Sequence, residues 1–343
     1  MQLSNIFILD EEGYALILKL IQRRIEKDIL SERRELEQIQ IKQKQISQKS
    51  GFLNSLNKYH KDHSSTKVYV RVTKKVFWQE RWEQKNIKAL SSSLRNMKAE
   101  EIIRQYHGSS EGKTKLFLIL QEVIHTPIFH SFDDVDNAGE ERDFNKSINE
   151  LSGLCGLGLH GTKIIEDTEK FFKDIKNENT NMFKYGIYGL IGVGALTAVL
   201  AMPVIAPAIG GLFGLSGAAA TTAGLAMLGG GSIAAGGLGM AGGMTILVGG
   251  SGILGAVAGG AVGKLLSQLP YEVIALNVCK TVNYINYLKE TNFSPTLLSE
   301  AQNMFLSFKQ TAEKEIVLNN VYTSKKESIQ LLNTLNIGIR KII

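Results

Sequence analysis

The chain of 343 residues is long enough for two or three domains, and its only cysteines, Cys155 and Cys279, form no CxxC pair. These features exclude a small disulfide-stabilised secreted domain and predict unpaired thiols in a reducing compartment. The net charge of +6 suits anionic lipid and nucleic acid equally, so it selects neither partner.

The N-terminus does not resemble a secretion signal. Asp10, Glu11 and Glu12 stand where the apolar core of a signal peptide is expected. We therefore expect a chain that is kept in the cytoplasm, or that leaves it without a leader.

Residues 14–50 are predicted to form a long helix. Apolar residues recur on one side and continue with heptad spacing, at Leu16, Ile17, Leu20, Ile21, Ile29, Leu36, Ile39 and Ile46. Both a helix packed in a bundle and a dimeric coiled coil fit this pattern, and the polar sequence after Leu36 favours an exposed end.

Thr66–Thr73 is the best strand candidate, because Val68, Val70 and Val72 alternate with polar or aromatic residues. One strand cannot make a sheet, so this stretch must pair with another segment or be helical after all.

Residues 54–98 combine positive charge with aromatic side chains, since they contain 11 Lys or Arg, three acidic residues and several aromatic residues. Such a mixture can bind anionic membrane surfaces or nucleic acid. Trp78 and Trp82, four residues apart, would lie on one helix face, either as core residues or as an interfacial membrane anchor. Core packing is favoured and nucleic acid is disfavoured.

Two motifs suggest chemistry only weakly. Residues 108–114 (GSSEGKT) resemble a phosphate-binding loop with one residue too few between the glycines, after a helical pattern rather than a strand. His125 and His130 precede Asp133, Asp134 and Asp136, but their spacing matches no standard zinc or calcium site. We expect no catalytic residue, no cofactor and no metal.

An acidic loop, Asp133–Asp143, marks a boundary. Helical patterns follow at Asn145–Leu159 and Lys163–Asn177. Beyond the uncharged segment, further amphipathic helices are predicted at Tyr271–Glu290, from Pro295 onward and around Ile329–Ile339.

The most unusual feature is Tyr185–Gly263, 79 residues without Asp, Glu, Lys, Arg or His, which hold 24 of the 34 glycines. Its length is about four times the roughly 20 residues that span a bilayer. Prolines and glycine clusters divide it into pieces of about spanning length, which predicts two membrane hairpins, or else a single two-pass hairpin, bordered by Lys184 and Lys264. Glycines spaced by four would let helices pack closely and oligomerise; they are Gly210, Gly214, Gly239, Gly243, Gly255, Gly259 and Gly263. A soluble protein with an unusually apolar core is the alternative.

The layout resembles that of α-helical pore-forming proteins, in which amphipathic helices shield a central hydrophobic hairpin. Residues 214–243 also resemble the Gly/Ala-rich membrane region of the transmembrane-and-coiled-coil hydrolase-like proteins, and more loosely the membrane domain of small interferon-inducible proteins. The hydrolase domain has no counterpart, because the chain contains no G-x-S-x-G motif.

The sequence therefore predicts a mainly α fold, an amphipathic helical bundle around a Gly/Ala-rich hairpin region, with at most a minor β element near 66–73. The predicted regions are 1–132 (helical, basic-aromatic), 133–184 (acidic loop and lead helix), 185–269 (hydrophobic) and 270–343 (C-terminal helices).

The functional hypothesis is a pore-forming effector, dormant in the cytoplasm, that inserts hairpins into a bilayer and permeabilises it, as a toxin or a cell-suicide or antiphage protein would. Its expected partners are the lipid bilayer, further copies of the chain and a regulatory or sensor protein. The alternatives are a constitutive membrane-anchored scaffold or recruitment protein and a nucleotide-dependent enzyme.

Overall fold

A computed structural model describes residues 11–48, 54–130, 135–178, 266, 271–319 and 325–343. Regular structure in these ranges is helical, with no β-strand, which confirms the mainly α class. The helices are α1 (Glu11–Gln48), α2 (Asn54–Asn86), α3 (Ser92–Asn96), α4 (Ala99–His107), α5 (Ser110–His125), α6 (Phe144–Leu154), α7 (His160–Glu178), α8 (Tyr271–Thr291), α9 (Pro295–Asn319) and α10 (Lys325–Ile342). The division of the chain into four regions stays a prediction.

Helices α5 and α8 form the centre of the bundle. Nearly all of α5 from Leu116 to His125 is buried, as is α8 from Ile274 to Tyr284. Helices that are buried on all sides belong in the interior of a bundle. Because α5 comes from the N-terminal part of the chain and α8 from the C-terminal part, both parts contribute to one core. The rings of Phe117 on α5 and Tyr287 on α8 stack with their centroids 4.0 Å apart.

The C-terminal helices close over this centre. Gly338 lies where α10 crosses α8 and α9, and a Cβ atom there would stand 2.8 Å from the Phe305 ring and 3.1 Å from Val278. On its other side α10 is tied to α7 by Lys341, whose Nζ lies 2.7 Å from Asp174.

Helices α1 and α2 form a long antiparallel hairpin. Their side-chain contacts run in opposite order along the two helices, as shown by Gln22–Glu83, Glu32–Arg71 and Gln43–Ser65. At 38 residues, α1 is about 57 Å long. Its first half lies in the core and its second half is largely exposed.

The predicted strand at Thr66–Thr73 is wrong, because these residues belong to α2. Val68, Val72 and Lys75 are buried at helical spacing, so contact with α1 follows a period of 3.6 rather than two. The three valines do alternate in the sequence, but they do not share one buried face, because Val70 is exposed.

Candidate functional site

Helix α2 has two unlike faces, and the inner one is part of the core. Trp78 and Trp82 are fully buried with their rings stacked at 6.4 Å, and Trp78 donates a hydrogen bond to the carbonyl of His130. The interfacial role considered for these tryptophans is therefore wrong, and core packing is the interpretation that the structure supports.

A cluster of charges holds α2 and the loop before α6 against α1. Lys75 is fully buried and donates to Asp28, to Glu32 at 3.2 Å and to the carbonyl of Glu140 at 2.8 Å. Arg71 binds Glu32 at 2.8 Å. Two of the basic residues in this region are thus paired with acidic residues of α1, Lys75 in the core and Arg71 at its edge.

This pairing changes the acidity of the carboxyl groups in the cluster. Burial raises the pKa of Asp28 despite its contact with Lys75. Burial also acts to raise the pKa of Glu32, but Arg71 and Lys75 outweigh it, and the pKa is lowered. Arg142 from the loop completes the cluster by pairing with Glu35.

The opposite side of α2 is exposed and apolar. Tyr69, Val70 and Phe77 are 60%, 45% and 55% exposed, which is unusual for side chains of this size on one helix. Lys67 and Lys74 are exposed beside them, and no described ion pair involves either lysine. We call these five residues the outer face of α2.

A second feature is a cleft of about 710 Å³ between α5, α7 and the loop before α6. Its walls include His125, His130 and Thr168, with apolar residues from three elements. The guanidinium of Arg24 on its wall is already bound by Glu141 and by the carbonyl of Thr126 at 2.8 Å. The cleft therefore offers no concentrated charge of one sign to a ligand.

Behind the cleft, His125 belongs to a buried chain of hydrogen bonds. Its Nδ1 donates to the carbonyl of Gln121 at 2.7 Å, so Nε2 accepts from the hydroxyl of Thr168 at 3.0 Å. Asn283 donates to the same hydroxyl at 3.2 Å. Burial, together with nearby Lys280, lowers the pKa of His125 to about 3, so the ring is neutral.

Next to this chain lies a buried ion pair. Lys280 on α8 donates to both carboxylate oxygens of Glu122 on α5, at 2.7 and 2.9 Å. Burial raises the pKa of Glu122 to about 7, against the opposing effect of Lys280. Both nitrogens of His125 and both oxygens of Glu122 are occupied within the protein, which assigns these groups to the joining of helices.

The motif at 108–114 is the junction between α4 and α5 and not a loop after a strand. Ser109 caps α5 by accepting from the backbone N–H of Gly112 at 3.0 Å. A Cβ atom on Gly112 would lie 1.8 Å from the carbonyl oxygen of Tyr106, so the glycine is required for helix packing. The prediction of a nucleotide-dependent enzyme loses its structural basis here, because the helix–loop–helix geometry differs from the phosphate-binding loop.

Replacing Gly112 with Ala is expected to lower the free energy of unfolding by about 1–3 kcal/mol, because the added methyl group meets backbone that cannot move independently. Thermal unfolding followed by circular dichroism measures the effect. Gly108→Ala is the matched control, since no atom lies within 4 Å of its Cβ position. Equal stability of the two variants would contradict the packing role.

Only some of the histidine and aspartate residues considered as metal ligands lie in the described part of the chain. His125 is bound within the core as described, and Asp133 and Asp134 lie outside the described residues. Within the described ranges, no group of three or more His, Cys, Asp or Glu residues is arranged to hold a metal ion.

Both cysteines are buried free thiols. Burial raises the pKa of both Cys155 and Cys279 to about 12. Both thiols are therefore protonated at neutral pH, whereas a nucleophilic cysteine reacts as the thiolate.

The membrane hypothesis must be corrected. Of the helices in the described part of the chain, none combines the length and apolar character needed to cross a bilayer. On this finding, the predicted pore-forming effector and the membrane-anchored scaffold are wrong. The residues assigned to insertion, oligomerisation and flanking lie outside the described ranges; they are Lys184, Gly210, Gly214, Gly239, Gly243, Gly255, Gly259, Gly263 and Lys264.

Comparisons of the chain with protein-family models, with curated proteins and with solved structures find no match.

The basic-aromatic region is evident in the sequence, but its division into two faces is not. The two buried charge groups, Lys75 with Asp28 and Lys280 with Glu122, were not predicted. A signal for the second was present, since Lys280 is the only charged residue between Glu272 and Lys289. Such an isolated charge in an apolar helix indicates a buried partner.

Proposed function

We propose that this protein is a binding module, and that a second protein docks on the outer face of α2. The observation that carries this proposal is the exposure of Tyr69, Val70 and Phe77 along one side of a helix whose other side is fixed in the core. A rigid helix that presents apolar side chains to solvent is a common form of docking surface.

Docking would remove these side chains from water. Full burial of a large apolar side chain contributes about 1.5–3 kcal/mol, so each half-exposed side chain here would contribute about 1 kcal/mol. Because α2 is already held by Trp78, Trp82 and Lys75, binding would not require the helix itself to become ordered.

A protein fits this face better than nucleic acid. Non-specific nucleic-acid binding depends on neutralising several phosphates with Lys or Arg side chains. Of the basic residues on α2, Arg71 and Lys75 are paired with acidic residues of α1, and the exposed Glu80 would repel phosphates. The apolar side chains, in contrast, are what a protein interface buries at its centre.

The proposal is tested by site-specific photo-crosslinking in the native host. A photoreactive phenylalanine analogue at position 77 is expected to give a discrete protein adduct. The same analogue at position 306 on α9 is the control, because Leu306 is also exposed, at 40%. Equal adducts at both positions, or an adduct of nucleic acid or lipid alone, would contradict the proposal.

The captured protein is then purified and its affinity measured directly. The double variant Tyr69→Ser/Phe77→Ser is expected to bind at least about tenfold more weakly, since aromatic residues dominate interface energetics. The variant's thermal stability should stay within about 0.5 kcal/mol of wild type, because both side chains are exposed. Unchanged affinity would count against the outer face of α2.

A further inference from the structure

Val70 and Phe77 form an apolar line along the outer face of α2, which we call its seam; it holds one apolar side chain per seven residues, where a full coiled-coil seam holds two. Val70 and Phe77 are seven residues apart, which places them about 10.5 Å apart along the helix and within about 20° of each other around it. This is the spacing at which a second helix, lying alongside α2, would meet one side chain per heptad. Tyr69 widens the apolar surface on one side of the line.

The other side of the seam is basic. Lys67 and Lys74 are also seven residues apart, and each stands about 60° from the Val70–Phe77 line in the same direction. Arg81 continues the row after a further seven residues. Positions flanking a heptad seam form the interhelical ion pairs that determine which helix binds.

The opposite flank is different in charge. It carries Thr66, Thr73 and the exposed Glu80 at the same seven-residue spacing. The seam is therefore basic along one edge and neutral to acidic along the other, which makes one orientation of a bound helix preferable to the reverse.

This asymmetry argues against a second copy of the chain as the occupant. In an antiparallel pair of α2 helices, the basic row of one copy would face the basic row of the other, and like charges in contact disfavour association. In a parallel pair, the basic row would face Thr66, Thr73 and Glu80, which offer a single carboxylate, so an acidic helix is the better complement.

From this pattern we infer that the partner docks on α2 through an acidic amphipathic helix, with an apolar heptad seam and Glu or Asp opposite Lys67 and Lys74. The inference rests on the proposed function and specifies the chemistry of its partner. The helix packs on Val70 and Phe77, and its carboxylates lie along the basic row.

Two synthetic helical peptides test the inference on the full chain. Both peptides contain about four heptads with the same Leu seam. The positions that flank the seam are all Glu in the first peptide and all Lys in the second. By fluorescence anisotropy at low salt, the wild-type chain is expected to bind the Glu peptide at least about tenfold more tightly than the Lys peptide. Equal affinities would overturn the inference.

Charge reversal provides the matched experiment. The variant Lys67→Glu/Lys74→Glu changes only exposed side chains and is expected to reverse the preference, so that the Lys peptide binds more tightly. Val70→Asp is expected to weaken the binding of both peptides. A failure of charge reversal to change the preference would show that the row does not recognise the partner.

The outcome is separable from that of the proposed function. If position 77 crosslinks to a protein but neither peptide binds, docking on α2 stands and the acidic helix is wrong. If the chain associates with itself in sedimentation experiments, and Val70→Asp abolishes that association, the occupant is a second copy and the inference is overturned.

Discussion

Replacing Glu122 with Leu is expected to lower the free energy of unfolding by about 3–5 kcal/mol, because the change leaves the ammonium of Lys280 buried without its partner. Lys280 and Glu122 are both almost completely inaccessible to solvent, and Lys280 donates to both carboxylate oxygens. Water cannot replace the lost carboxylate without opening the contact between α5 and α8. Urea unfolding followed by circular dichroism measures the loss as a lower midpoint at unchanged slope.

The double variant Glu122→Leu/Lys280→Met is the control. Removing both charges at once leaves no unpaired ion, so its stability is expected to return to within about 1 kcal/mol of wild type or to exceed it. The coupling between the two positions then isolates the ion pair. If the double variant loses as much stability as Glu122→Leu and Lys280→Met, measured singly, lose together, the loss comes from packing and not from an unpaired charge.

The C-terminal helices were the most predictable part of the fold. The pattern Tyr271–Glu290 corresponds to α8, and the proline at 295 begins α9 as predicted. These helices carry continuous apolar stripes, and such local signals fix a helix without knowledge of its neighbours. Residues 14–50 and Lys163–Asn177 likewise correspond to α1 and α7.

The candidate site was less predictable, because its key pairings connect residues distant in sequence. Lys75 is buried because Asp28 and Glu32, more than 40 residues earlier, lie opposite it on the hairpin. From sequence alone, Lys75 and Lys74 are equivalent, yet one is buried and the other exposed. The same ambiguity explains why Thr66–Thr73 was predicted to be a strand. Three alternating valines favour β-structure locally, but packing against α1 buries Val68 and Val72 on one face of a helix.

The buried polar groups also predict a pH dependence of stability with two opposing parts. His125→Gln and Glu122→Gln are expected to show slopes of opposite sign between pH 4.5 and 6.5, while the two groups nearly cancel in the wild type. The window follows from the ordinary and shifted pKa values of the two groups.

The contribution of His125 is lost on acidification. In the folded protein its pKa is about 3, below the ordinary value of 6.5, so the unfolded chain holds more protons between these values. Stability therefore rises with pH across this range, by up to about 1.4 kcal/mol per pH unit. The main physical cause is burial, since a charged imidazole would be removed from water, and nearby Lys280 adds to it; the hydrogen bond from Nδ1 to the carbonyl of Gln121 only partly opposes these effects.

The contribution of Glu122 has the opposite sign. Its folded pKa of about 7 lies above the ordinary 4.5, so the folded protein holds the extra proton between these values and stability falls as pH rises. Where the two ranges overlap, from pH 4.5 to 6.5, the stability gained through His125 as pH rises is about equal to the stability lost through Glu122.

Each Gln variant removes one of these contributions and exposes the other. We expect Glu122→Gln, in which the amide oxygen still accepts from Lys280, to gain on the order of 2 kcal/mol of stability from pH 4.5 to 6.5, and His125→Gln to lose a similar amount. Urea unfolding at intervals of half a pH unit measures both slopes, and wild type is the reference. Parallel slopes in the two variants would show that His125 and Glu122 do not titrate as opposing groups at the junction of α5, α7 and α8.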